Sequence, residues 1–159
     1  MLTRFTISCL VLAGSMLFAP ALAGPKPLST RVLSVPQVVP MEGKEVVSFE
    51  VRNKGDVPVT LCALKGPRVD ISCRQADGSG VGIGWGPGPS RYDRDDFFTL
   101  APGEARQFDV PVSVPEECES DVVTVSVSYN SQYDGSEVGI RAWTGELKVG
   151  RFRIPISTR

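Results

Sequence analysis

In the stretch around residue 125, Val123, Val125, Val127 and Tyr129 alternate strictly with Thr124, Ser126 and Ser128. A period of two places the first set on one face of a β-strand and the second on the other, so this segment reads as a strand with one dry face and one wet face. The same rhythm recurs in Lys44 to Asn53, where Val47, Phe49 and Val51 alternate with Ser48, Glu50 and Arg52. It recurs again at Phe108, Val110, Val112 and Val114. No segment after residue 23 keeps a helical period. A chain patterned this way can bury its apolar faces only by stacking sheets.

Turn signals cut the chain into short pieces. Asn53-Lys54-Gly55-Asp56 separates the Lys44–Asn53 strand from Val57–Leu64. Lys65–Arg68 turns into Val69–Gln75, and Ala76–Gly80 turns into Val81–Trp85. Ala101-Pro102-Gly103-Glu104 has proline and glycine where a type II turn needs them. Strands are also expected at Arg31–Val39 and Phe97–Leu100, and Ile140–Thr144 carries Trp143 on the way to the last strand. Pro36 confines the Arg31–Val39 strand to an edge. In the last strand Leu147 and Val149 share a parity that Phe152, Ile154 and Ile156 do not, so a bulge is expected at Gly150. Seven or more short strands with such punctuation predict an all-β sandwich.

The first residues read differently. Arg4 precedes an uncharged apolar run, Phe5 to Phe18, and Pro20 breaks it before Ala21-Leu22-Ala23. This is the pattern of a signal peptide, with cleavage expected after Ala23. The run is shorter than the roughly 20 residues of a membrane span. The expected organisation is a signal peptide at 1–23, a loose leader at 24–30 and one domain at 31–159. Cleavage removes only Arg4 among the charged residues, which takes the net charge from −1 to −2. The chain is therefore expected in an exported compartment, periplasmic or extracellular. With no basic stripe, nucleic acid is not an expected partner.

The chain has no histidine. That removes serine–histidine and cysteine–histidine catalysis and most zinc or copper sites. Three cysteines remain after the leader: Cys62, Cys73 and Cys118. An oxidising compartment predicts one disulfide and one spare thiol. Strand parity turns Cys73 inward with Val69 and Ile71, and turns Cys62 away from Val57, Val59 and Leu61. Cys62–Cys118 is accordingly placed ahead of Cys62–Cys73, leaving Cys73 as a small buried apolar residue. Glu116, Glu117, Glu119 and Asp121 crowd Cys118 and disfavour a nucleophilic thiolate there. Asp93, Asp95 and Asp96 form the densest carboxylate cluster, but Arg91 and Arg94 lie among them and the spacing is not that of a calcium loop. No catalytic residue, metal ligand or cofactor is expected.

Gly80–Asp96 is the strongest functional candidate. Glycine stands at every even position from Gly80 to Gly88, with Val81, Ile83 and Trp85 between. Such a frame admits close approach of another backbone or a flat ligand. Trp85, Arg91, Tyr92 and Arg94 are residue types that anchor protein interfaces. The plainer alternative is a strand whose Val81, Ile83 and Trp85 close the core, followed by a loose loop. Trp143 is expected to cap the core.

The Val47–Asn53 strand, the Val57–Leu61 strand after its turn, the Phe98–Glu104 turn and Ala142–Gly145 together resemble bacterial immunoglobulin-like domains. From Val47 to Tyr129 the order is also similar to the intracellular proteinase inhibitor family of bacilli, although this chain adds an export signal and further strands after Tyr129. The resemblance implies an immunoglobulin-like antiparallel sandwich and admits protease inhibition. The expected function is an exported, non-catalytic protein-binding module. The alternatives are an accessory or structural domain of an envelope assembly and, third, a small hydrolase using carboxylates. The expected partner is another protein, and the oligomeric state is left open.

Overall fold

The computed structural model describes residues 27–64, 66–84 and 91–157. Among them are ten strands and two short 3-10 turns, with no α-helix. The expected signal peptide and Trp85 lie outside the described residues.

Three sheets form. The first has the order β1 (Leu28–Ser34), β3 (Glu45–Asn53), β8 (Ala105–Val112). The second has five strands in the order β2 (Val39–Pro40), β10 (Gly145–Ser157), β9 (Val122–Ser131), β5 (Pro67–Arg74), β6 (Gly80–Ile83). The third pairs β4 (Val59–Cys62) with β7 (Phe97–Leu100). All pairs are antiparallel except β2 with β10.

The expected Arg31–Val39 strand is in fact two. β1 starts earlier, at Leu28, within the segment expected to be loose, and Leu28 is buried. The chain leaves the first sheet at Ser34 and enters the second at Val39. Pro36 sits in that crossing, where its missing N–H costs no ladder bond. Both pieces are edge strands.

The alternating strands fold as their patterns require. Val47, Phe49 and Val51 of β3 are buried, as are Val123, Val125, Val127 and Tyr129 of β9. With Val110 and Val112 of β8 and Val69, Ile71 and Cys73 of β5 they form one continuous core. In β10 the register against β9 slips between Lys148 and Gly150, which is the bulge that the parity change demands. A Cβ on Gly150 would lie 2.5 Å from the Phe152 ring, so a larger residue at the bulge requires that ring to shift. At the Ala101–Glu104 turn, Gly103 has φ of 80° and the Glu104 N–H donates to the Ala101 carbonyl at 3.0 Å, the geometry of a type II turn.

Asn53 is fully buried and organises the meeting of β3, β4 and β7. Its amide nitrogen donates to the Val57 carbonyl at 2.8 Å and to the Leu100 carbonyl at 3.0 Å. Its side-chain oxygen accepts from the Gly55 N–H at 2.9 Å. A residue that reads in sequence as a turn former thus braces its own turn and also satisfies a backbone group of β7. Replacing it with alanine leaves the buried Leu100 carbonyl without this partner and frees the two groups of the turn. Asn53→Ala is expected to lower unfolding free energy by about 2 kcal/mol or more, given the roughly 1–3 kcal/mol cost of each unsatisfied buried group. Urea unfolding measures this.

Candidate functional site

The Gly80–Asp96 segment divides. Gly80–Ile83 forms β6, the edge of the five-stranded sheet, paired with β5. A Cβ on Gly82 would lie 3.1 Å from the Ile71 carbonyl oxygen, so glycine allows the two strands to close up. Val81 packs against the core, whereas Ile83 is 45% exposed.

Residues 91–97 form a short, well-braced loop. Asp93 caps a 3-10 turn at Arg94–Asp96 by accepting from the Asp95 N–H at 2.9 Å. The Asp96 carboxylate returns the favour, accepting from the Asp93 N–H at 2.9 Å. Two of the three clustered aspartates are therefore engaged by the backbone, which explains the cluster without a ligand. Arg94 donates through Nε to the Val138 carbonyl at 3.1 Å, tying this loop to the 131–144 loop. Arg91 is exposed.

Tyr92 meets Tyr133 with ring centroids 4.7 Å apart and Phe97 at 5.6 Å. The two tyrosines line a concavity of about 510 Å³ with Gln132, Asp134, Glu137 and Thr144. Partial loss of solvent raises the Tyr92 phenol above its ordinary value, and the Glu137 and Asp134 carboxylates add to the rise. Hydrogen bonds from the Ser136 N–H and hydroxyl to Asp134, at 3.0 and 2.8 Å, hold that carboxyl below its usual range. Two carboxylates on the rim thus stand close to the two phenol rings. The structure brings Tyr92 and Arg94 together through the 131–144 loop, and it adds Tyr133 and Glu137. Sequence reading passed over Tyr133, although a lone aromatic in a polar loop is a usable signal.

The disulfide corrects the expected pairing. Cys73 is joined to Cys118, with Cα atoms 5.8 Å apart, and Cys62 is free and buried. Neither Cys62–Cys118 nor Cys62–Cys73 forms. Cys73 does face inward, but Cys62 lies near the opposite end of β5, beside Pro67 and Tyr129. Six residues of strand, about 20 Å, separate Pro67 from Cys73, well beyond disulfide reach. The 115–120 loop folds to the Arg74 end, where the Glu119 N–H donates to the Arg74 carbonyl at 3.1 Å. Burial raises the Cys62 thiol, with Asp96 adding to the rise, so the protonated form is favoured. Trp143 is half-buried against the core, and its backbone N–H donates to the Thr60 carbonyl at 2.8 Å.

No protein-family profile matches the chain, and no curated protein matches it in sequence. Solved structures do. The sporulation control protein Spo0M of Bacillus subtilis aligns at 12% identity with a TM-score of 0.51, over 85% of this chain and 51% of that one. A β-glucosidase of Listeria innocua, in complex with isofagomine, aligns at 12% identity and a TM-score of 0.48, over 81% of this chain and 16% of that one. A CARDB domain from Pyrococcus furiosus aligns at 13% identity and 0.41, over 84% and 96%. This chain spans about half of Spo0M and a small part of the glucosidase. The likeness to Spo0M speaks to fold alone.

The Cys73–Cys118 bridge closes a loop with a sequence separation of 45 residues. Loop-closure entropy puts its contribution at about 4 kcal/mol. Non-reducing peptide mapping is expected to find Cys73 linked to Cys118, and a thiol reagent is expected to label Cys62 only after unfolding. Cys118→Ser is expected to lose stability on that scale.

Proposed function

We propose that this protein is an exported, non-catalytic binding module on an immunoglobulin-like sandwich, and that it engages a protein partner through the Tyr92–Tyr133 end. The sandwich reading is supported by the first and five-stranded sheets sharing one buried cluster. Export is supported by the disulfide and by the leader sequence; among the described residues no helix is long and apolar enough to cross a membrane.

The observation that carries the reading is the tyrosine pair on a braced frame. Both rings are only half-buried, and both loops are held by the Asp93 cap and the Arg94 bond to Val138. Tyrosine gives large contact area with few torsions to freeze, so a preformed pair loses little entropy on binding. Arg91 stands exposed beside it. Asp134 and Glu137 on the rim favour a partner with basic side chains.

Capture from a native envelope fraction tests this. The wild-type protein is expected to retain one dominant partner. Tyr92→Ala with Tyr133→Ala is expected to weaken that binding by about 2 kcal/mol or more, roughly thirtyfold, while the variant still melts cooperatively. A protease as the partner would narrow the function to inhibition, and a structural envelope protein would narrow it to an accessory role. Equal capture by the folded double variant, or no partner at all, contradicts the proposal.

A further inference from the structure

The outer face of the five-stranded sheet carries a second surface, remote in composition from the tyrosine end. Its centre is β9, where Thr124 and Ser126 are half-buried on the outward side and Ser128, on the same side, is buried between its neighbours. The ladder places these in three rows. Thr124 stands between Ser72 of β5 and Arg153 of β10. Ser126 stands between Asp70 and Arg151, and Ser128 stands between Arg68 and Lys148. Each row thus has a small hydroxyl in the middle and a cation on the β10 side. From Thr124 to Ser128 the rows repeat about every 7 Å along the strand.

The β10 bulge creates this arrangement. Lys148 and Arg151 are an odd number of residues apart, so on a regular strand they would face opposite ways. The register slip between Lys148 and Gly150 absorbs one residue and keeps Lys148, Arg151 and Arg153 on one face. Without it the two arginines would turn to the side that Leu147 buries.

Two concavities of about 770 and 390 Å³ run along this face and share Arg151 as a common wall. Arg74 of β5 joins the larger one. Arg68 is neutralised by Asp70 at 3.1 Å. Arg74, Lys148, Arg151 and Arg153 are exposed and make no ion pair among the described residues. Asp121 and Glu146 are the other carboxylates on the lining, so the cations are in excess. The hydroxyls of Ser72, Thr124, Ser126 and Ser128 make no side-chain hydrogen bond among the described residues.

We infer that this groove binds an acidic oligosaccharide laid along β9. Ser72, Thr124 and Ser126 offer hydroxyls that both donate and accept, which suits a polyhydroxylated chain. The wall offers guanidinium groups, whose fork matches carboxylate or sulfate oxygens in a bidentate manner. No aromatic ring lines either concavity among the described residues. Neutral sugars and nucleobases both depend on ring stacking for much of their affinity, so ionic contacts must select the ligand here. A length of roughly 13 Å from Thr124 to Ser128 accommodates two to three sugar units.

Calorimetric titration of the protein tests the inference with two probes, an oligogalacturonate and a sulfated oligosaccharide. At least one is expected to bind, and to weaken as ionic strength rises. Arg151→Gln with Arg153→Gln is expected to reduce that affinity at least tenfold with an unchanged melting temperature. Tyr92→Ala is expected to leave it unaltered, which separates this groove from the tyrosine end. A neutral oligosaccharide, inorganic phosphate and anionic lipid vesicles are expected to bind at least tenfold more weakly. The inference is overturned if neither acidic probe binds, if the neutral chain or the vesicles bind as well, or if the arginine variant binds like the parent.

Discussion

Tyr129 is the side chain through which the three sheets meet. It belongs to β9 in the five-stranded sheet and is fully buried. Its ring packs on Phe108 of the first sheet, with centroids 5.0 Å apart, and Phe108 in turn contacts Phe49 and Phe98. Its hydroxyl donates to the Cys62 carbonyl of the third sheet at 2.6 Å. A buried phenol needs such an acceptor, because an unpaired hydroxyl in the core is costly. The neighbouring turn is shaped to the ring: a Cβ on Gly66 would lie 2.6 Å from it. Burial, and then the nearby Cys62, raise the Tyr129 phenol far above its ordinary value. The neutral form is therefore the one that folds. The stability this implies is present below the ordinary tyrosine range and is lost as pH climbs above it, since only the unfolded chain can release the proton there.

Both candidate surfaces are consequences of the strand that Tyr129 anchors. The inner face of β9 supplies core, and its outer face supplies the hydroxyl floor between the β5 and β10 walls. Beyond Ser131 the same chain runs on into the loop that presents Tyr133. Ser131 is itself buried and accepts from the Cys62 N–H through its hydroxyl at 3.3 Å, which braces the exit of β9. At the far end of the sheet, the Cys73–Cys118 bridge holds the loop that precedes β9. The strand is thus fastened at both ends, while Thr124 and Ser126 on its outer face keep partial exposure.

How legible this was depended on whether the signal was local. The alternation in β3 and β9 is local, and it gave the buried faces correctly. The parity change near Gly150 is also local, and it located a bulge whose importance lies in the cations it aligns. The pairing of cysteines is not local. It turns on which end of β5 receives the 115–120 loop, and strand parity carries no information about that. The third sheet was hidden for a similar reason: β4 and β7 are four residues each, and their pairing spans a long insertion. The Tyr92–Tyr133 contact also joins distant segments. Asn53 reads in sequence as a turn former, and its bond to the Leu100 carbonyl depends on where β7 lies.

The most direct test of the central role of Tyr129 is equilibrium urea unfolding of Tyr129→Phe. This change keeps the ring and deletes only the hydroxyl that reaches the third sheet. The variant is expected to lose about 1–3 kcal/mol, the cost of stranding a buried carbonyl, with an unchanged denaturant slope. A variant as stable as the parent would contradict the claim that the bond from Tyr129 to Cys62 joins the sheets.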